Sequence, residues 1–210
     1  MSIEDSAGQL ELLLGTKNDG KIKEIKSLLA DIAGLNLLTY RERPFSNVTE
    51  SGITFRANAL IKARQIARET EIAVLADDSG LAVFALDGKP GVDSAHFAGF
   101  PRDDLRNNAS LLRSLSGAED RSARFLCVAV LHLTDGQEYI TRGALDGKIT
   151  LYPRGKNGFG YDSIFIPQGY NRTAAELTPS EKNAISHRYK ALRAMKDHLH
   201  NIIAAKKLKV

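Results

Sequence analysis

Two carboxylates stand side by side at Asp77 and Asp78, followed by the hydroxyl of Ser79 and by Gly80. Neighbouring acids repel one another unless a cation or a shared proton relieves them, so the pair suits a divalent ion or a proton transfer. Ile72 to Leu75, just before them, are apolar with little alternation, the mark of a strand buried on both faces. Ligands in open α/β sheets gather beyond the carboxyl ends of strands, which is where the run breaks into acids. The competing reading is a solvated turn, because Asp, Ser and Gly are ordinary turn formers.

Further chemistry-bearing residues lie on either side. Gly15-Thr16-Lys17-Asn18-Asp19-Gly20-Lys21 joins an apolar run to a helical pattern, a geometry that points backbone N–H groups at a phosphate. It matches the start of a P-loop, G-x-x-x-x-G-K, but Ile22 stands where a magnesium-binding hydroxyl would be. That excludes a P-loop NTPase and leaves the loop and Lys21 as phosphate-binding candidates, beside the reading of a surface turn. Glu50 precedes a helical stretch, either as a helix-terminus charge or as a metal ligand. Pro153 to Asp162 carries three glycines with Phe159 and Tyr161. It is either a loop that approaches a ligand and stacks a base, or one whose aromatics plug the core. Lys182, His187 and Arg188 follow a strong helix start at Thr178-Pro179-Ser180-Glu181, and the last two could donate to a carbonyl oxygen.

The elements that must position these residues are legible from periodicity. Strands are expected at Leu10 to Leu14, Leu35 to Tyr40, Ile72 to Ala76, Leu81 to Phe84, Arg124 to Leu133, Gln137 to Arg142, Ile149 to Tyr152 and Ser163 to Pro167. Helices are expected after Lys21, from about Thr54 to Glu69, from Asp103 to Leu115, from Thr178, and through an amphipathic terminal stretch from Ala191 to Ile203. Asp135-Gly136 is a hairpin turn. Lys62 and Arg64 fall to the polar side of their helix and default to solvent.

At 210 residues the chain suits one domain of two lobes around a cleft, over residues 9–205, between a loose tail at 1–8 and a basic end at 206–210. No apolar run is long enough to span a bilayer, and the first residues form no secretion signal, so a cytoplasmic protein without a membrane partner is expected. Cys127 is alone, inside an apolar strand, and reads as core. His198 and His200 are two apart, off a common helix face, and are assigned no metal. The net charge of +4 is compatible with an anionic ligand.

Together these blocks resemble the inosine triphosphate pyrophosphatase family, house-cleaning enzymes for non-standard purine nucleoside triphosphates. The likeness runs from Leu12 to about Leu192. It is carried by Thr16-Lys17-Asn18-x-x-Lys21-x-x-Glu24, Glu50-Ser51-Gly52-x-Thr54-Phe55-x-x-Asn58-Ala59, Ala76-Asp77-Asp78-Ser79-Gly80-Leu81, Phe159-Gly160-Tyr161-Asp162 and Glu181-Lys182-x-Ala184-x-Ser186-His187-Arg188. The resemblance implies an α/β homodimer with a long mixed central sheet flanked by helices, cleaving ITP, dITP or XTP between the α and β phosphates. It implies Mg2+ held by Glu50 and Asp78, with Asp77 in support and Asp78 as proton acceptor. It implies phosphate contacts from Thr16, Lys17, Asn18, Asp19, Gly20 and Lys21, with Ser79 and Lys182 as added donors. Phe159, Gly160, Tyr161 and Asp162 would frame the base and sugar, and His187 and Arg188 would read the purine. The chain departs from the family pattern at Asp93, His96, Lys156, Asn157 and Ser163. Two alternatives stay open: a Maf-like pyrophosphatase with another base preference, and a non-catalytic nucleotide- or nucleic-acid-binding protein. Clustered acids argue against the second, so no nucleic-acid partner is expected.

Overall fold

The computed structural model describes residues 9–208, so the expected tail at 1–8 and the last two residues of the basic end lie outside it. The strands are β1 (Leu10–Leu14), β2 (Leu35–Leu38), β3 (Ala73–Val83), β4 (Ser122–His132), β5 (Glu138–Ile149) and β6 (Phe165–Pro167). They form one mixed sheet in the order β2-β1-β3-β4-β5-β6. The helices are α1 (Asp19–Leu29), α2 (Phe55–Thr70), α3 (Asp104–Ser114), α4 (Pro179–Ile185) and α5 (His187–Lys207).

β1 runs parallel to both β2 and β3, while β3-β4-β5-β6 are antiparallel. The chain steps outward from β1 to β2 through α1, then returns past β1 to β3 through α2. Two right-handed crossovers in opposite directions put their helices on opposite faces of the sheet. Side chains alternate between those faces along each strand. Leu12, Leu14, Ala73 and Leu75 pack with Ile22, Ile25 and Leu29 of α1 and with Leu192, Met195 and Leu199 of α5. Leu13, Val74 and Ala76 pack with Ala59, Ala63 and Ile66 of α2. A third core, around Leu81, Leu111, Phe125 and Phe165, fills the far half of the long strands under α3.

Three expectations need correction. The acidic pair does not end a strand: β3 continues from Ala73 through Asp77 and Asp78 to Val83. The reason is β4, which pairs with it from Val74↔His132 to Val83↔Ala123. β1, by contrast, stops at Leu14 opposite Leu75, so the acids lie beyond the carboxyl end of their parallel neighbour while remaining inside their own strand. The strand read as Gln137 to Arg142 runs on to Ile149 as the twelve-residue β5, and Thr150 to Tyr152, read as part of a further strand, lie beyond its end. Gly143 and Gly147 had broken its apolar signal; at Gly143 a Cβ would stand 2.0 Å from the His187 carbonyl oxygen, so the start of α5 can rest there only on a bare backbone. Finally, the strand expected from Ser163 begins only at Phe165, after a 3-10 segment at Asp162–Ile164.

α4 begins with the capping box expected at Thr178 and Glu181. Ser186 then takes an extended conformation and caps a new helix, its side chain accepting from the Tyr189 amide. That break turns His187 and Arg188 inward as the first residues of α5.

Candidate active site

A cleft of about 760 Å³ opens where the two halves of the sheet meet, lined from the β1–α1 loop, the segment before α2, the middle of β3 and the Phe159–Asp162 loop. Among the described residues, lysines reach it from four elements: Lys17, Lys21, Lys62 and Lys182.

Asp77 and Asp78 point to opposite faces, as consecutive strand residues must. Asp77 follows Leu75 toward α1 and α5, where Lys21 Nζ lies 3.0 Å and an Arg188 amino nitrogen 3.2 Å from its Oδ2. Burial alone would raise its pKa, but Lys21, Arg188 and Lys62 outweigh it and hold the carboxyl far below the usual range. Arg188 also pairs with Glu24 and donates to Ser79 Oγ at 2.9 Å, and Glu24 pairs in turn with Lys182 at 2.7 Å. Lys182 closes the chain on Asp162. Every charge in this buried ladder has a partner of opposite sign, as the interior demands.

Asp78 follows Ala76 toward α2. There Lys62 Nζ lies 2.6 Å from a Glu50 oxygen and 3.4 Å from Asp78 Oδ1, which also accepts from the Ser79 amide at 3.0 Å. Asp78 Oδ2 is buried without a partner. Burial, with Glu50 and Asp77 adding to it, raises the Asp78 carboxyl above its ordinary value despite Lys62 and Lys21. The assignment of Lys62 to solvent is therefore corrected: it is buried, and its pKa is raised because Asp78, Glu50 and Asp77 overcome the cost of burial. The helical spacing carried the signal, since Lys62 lies four residues from the buried Asn58 and four from Ile66, within the apolar stripe of α2. Arg64 is exposed as expected and pairs with Glu138 at 2.7 Å. Glu50 is no helix cap; the Thr54 side chain caps α2.

The remaining candidates divide. Thr16, Lys17, Asn18 and Lys21 line the cleft, with Asn18 capping α1 through the Lys21 amide. Lys17 has no carboxylate partner among the described residues; its ammonium donates to Asn47 Oδ1 at 2.8 Å. Asp19 and Gly20 fall outside the main cleft, because the first turn of α1 carries them away: Asp19 pairs with exposed Arg41, and a Cβ on Gly20 would stand 2.6 Å from the Phe159 ring. Phe159 faces the cleft, with Lys182 Nζ 4.9 Å from its ring centroid. Tyr161 instead packs with Leu81, Leu111 and Phe165 and donates to the Ser94 carbonyl, so its ring is core and not a free platform. Asp162 turns inward, accepting from the Phe159 amide at 2.9 Å and binding Lys182. His187 stacks on Phe125 at 4.8 Å between centroids, and its Nδ1 is buried without a partner. Burial, then Arg188 and Lys182, press its pKa well below 6.5 and leave it neutral at pH 7. Arg188 is not a surface donor: it is 1% exposed, both terminal nitrogens are taken by Glu24, Asp77 and Ser79, and only Nε is unpartnered. Cys127 is core as expected, its thiol pushed up to about 12.

No three acidic, histidine or cysteine side chains converge into a metal cage among the described residues. Asp77 lies on the other face of β3 with its Oδ2 taken by Lys21 and Arg188, while its Oδ1 is buried without a partner. A divalent cation nevertheless fits what is present. Glu50 and Asp78 already share one cation, Lys62, and Asp78 offers a buried oxygen with nothing on it. Magnesium is commonly held by one or two carboxylates, with phosphate oxygens and waters supplying the rest.

A mixed α/β sheet carrying a cleft with lysines from four elements around an under-paired carboxylate defines a protein suited to receive a polyanion and move a proton beside it. The chain belongs to the Ham1 family, whose model matches residues 12–198. It is 48% identical over 189 residues to a dITP/XTP pyrophosphatase of Streptomyces coelicolor, covering 88% of this chain and 94% of that protein. It is 43% identical over 199 residues to one of Mycobacteroides abscessus, covering 92% and 97%. A solved Ham1 protein from Coxiella burnetii superposes with a TM-score of 0.84 at 42% identity, covering 92% of this chain and all of that one. Among the described residues, no helix is long and apolar enough to cross a membrane.

Proposed function

We propose that this chain hydrolyses non-standard purine nucleoside triphosphates, ITP, dITP and XTP, to the monophosphate and pyrophosphate. Relatives of 42–48% identity over most of the chain bear the name dITP/XTP pyrophosphatase. The observation that carries the reading onto these residues is the division of the acidic pair. Asp77 lies off the cleft and is held as an anion by Lys21 and Arg188, whereas Asp78 lines the cleft, shares its one close lysine with Glu50 and has a raised pKa.

In this reading Lys17, Lys21 and Lys182 take the phosphates, helped by the N-terminus of α1 beyond Asn18. Asp78 orients the attacking water and accepts its proton as the oxygen bonds to the α-phosphorus; the bond to the bridging oxygen breaks and pyrophosphate leaves. Glu50 and Asp78 would hold Mg2+, which when bound neutralises phosphate oxygens. Phe159 gives the base a face, and neutral His187 reads its edge with Arg188 Nε. A donor aimed at the 6-position finds an acceptor oxygen on inosine or xanthosine and another donor on adenosine, a mismatch that costs orders of magnitude in specificity. Residues 9–205 act as one unit, a homodimer of such units works in the cytoplasm, and neither nucleic acid nor membrane is a partner.

A nucleotide panel with magnesium present and chelated tests this. ITP and XTP should be turned over, ATP poorly, with pyrophosphate as the phosphorus product and no turnover in chelator. Preference for UTP or dUTP, or direct release of orthophosphate, would refute it.

A further inference from the structure

We infer that Asp104 and Asn108, one turn apart on α3, are positioning residues that clamp Gly160 and thereby hold the Phe159 wall of the cleft. Neither belongs to a motif that carried the functional reading. Asp104 Oδ2 accepts from the Gly160 amide at 2.7 Å, and Asn108 Nδ2 donates to the Gly160 carbonyl at 3.1 Å, so both polar groups of one peptide residue are gripped from a single helix. Asn108 Nδ2 also donates to Ser163 Oγ at 3.1 Å, on the far side of the same turn. The two side chains meet there because residues i and i+4 share a helix face. Asp104 is itself steadied by Arg102, whose guanidinium lies 3.0 Å away and lines the cleft.

The grip matters because of what Gly160 links. Its φ of +63 is open to glycine at little cost, so the residue is a natural hinge, and a Cβ there would meet nothing within 4 Å. Nothing stands against it on the side where a side chain would be, and the two α3 side chains grip its backbone. On one side is Phe159, the aromatic face of the cleft, close against Gly20 and above Lys182. On the other are Tyr161, anchored in the core, and Asp162, anchored on Lys182. Asn107 of the same helix secures the opposite loop, donating to the Ala95 carbonyl at 3.0 Å and accepting from the Ala98 amide at 2.8 Å. α3 thus fixes two loops at the cleft, and at Gly160 it does so through two hydrogen-bonding side chains.

The consequence for catalysis rests on the pyrophosphatase reading; the clamp itself does not. Two measurements separate them. In the ligand-free protein, Asp104→Ala should speed amide hydrogen exchange at Gly160 by about tenfold or more while protection in β3 and β4 is kept. Unchanged exchange at Gly160 would overturn the clamp whatever the protein catalyses. With ITP as substrate, Asp104→Ala and Asn108→Asp should raise KM about tenfold and leave kcat within about threefold, since ring placement affects binding more than the reacting phosphate. Asp104→Asn, which keeps an acceptor oxygen, should restore both. Inhibition by inorganic tripolyphosphate, which has no base, should be unchanged in all three variants. Equal weakening of tripolyphosphate and ITP would show general damage to the cleft and overturn the inference. A wild-type protein that leaves ITP intact would refute the pyrophosphatase reading, and the exchange measurement would still decide the clamp.

Discussion

The two faces of β3 treat chemically identical side chains in opposite ways. Toward α1 and α5, Asp77 meets two cations, Lys21 at 3.0 Å and Arg188 at 3.2 Å, both on Oδ2, and lies off the cleft. Toward α2, Asp78 meets one lysine, shares it with Glu50, and keeps an oxygen unpartnered. The first face places two cations on one acid, and the second spreads one lysine over two acids. Adjacent carboxylates need not act as a pair: on a strand they are a sheet's thickness apart in environment, and the number of cations on each side sets their roles.

Substitutions at the two acids give the largest expected effect. Asp78→Asn should lower turnover by roughly 10²–10⁴ with the fold retained, because the proposed proton acceptor is lost and the shape is not. A wild-type rate in single-turnover assays would break the comparison. The other face should answer in stability: Arg188→Met leaves Asp77 and Glu24 buried without their shared partner. It should cost about 3–5 kcal/mol in urea unfolding. A loss comparable to that of an exposed ion pair such as Lys196–Asp31 would deny the ladder its structural part.

Lys62→Met sharpens the contrast on the α2 face. Without this ammonium, the Asp78 carboxyl should rise further, and the acid limb of the pH–rate profile should move up by about one pH unit. An unmoved limb would mean that Lys62 does not act on Asp78. The smallest effect concerns His187. Its folded pKa is depressed, so below 6.5 the unfolded chain binds a proton that the folded chain refuses. Stability from this group is present above 6.5 and is lost as pH falls through that window, by at most about 1.4 kcal/mol per pH unit. His187→Gln should flatten that slope in unfolding titrations, and an unchanged slope would place the proton elsewhere.

The framework was largely written in local patterns. Leu10–Leu14, the helix after Lys21, the start of α2 near Thr54 and the capping box at Thr178 all rest on neighbours a few residues apart, and they stand as expected. The extents of β3 and β5 did not, because glycines and acids interrupt the apolar run and only pairing with β4 carries the strands through. Lys62 was misjudged for a similar reason: a lysine in an apolar stripe is expensive until its partners, Glu50 and Asp78, are seen to arrive from other segments.

By itself the sequence determined the α/β class, the order of the principal strands and helices and the acid-, lysine- and glycine-bearing stretches from which the cleft is made, since each follows from side-chain type and short-range periodicity. Tertiary structure alone decided which of two adjacent acids is pinned and which is left under-paired. It also decided that Arg188 faces inward, that the Tyr161 ring packs into the core while Phe159 stays half-buried at the cleft, and that α3 grips Gly160. Each of these depends on charges and hydrogen bonds between groups 16 to 164 residues apart in the chain, and no local pattern encodes what such distant partners will meet.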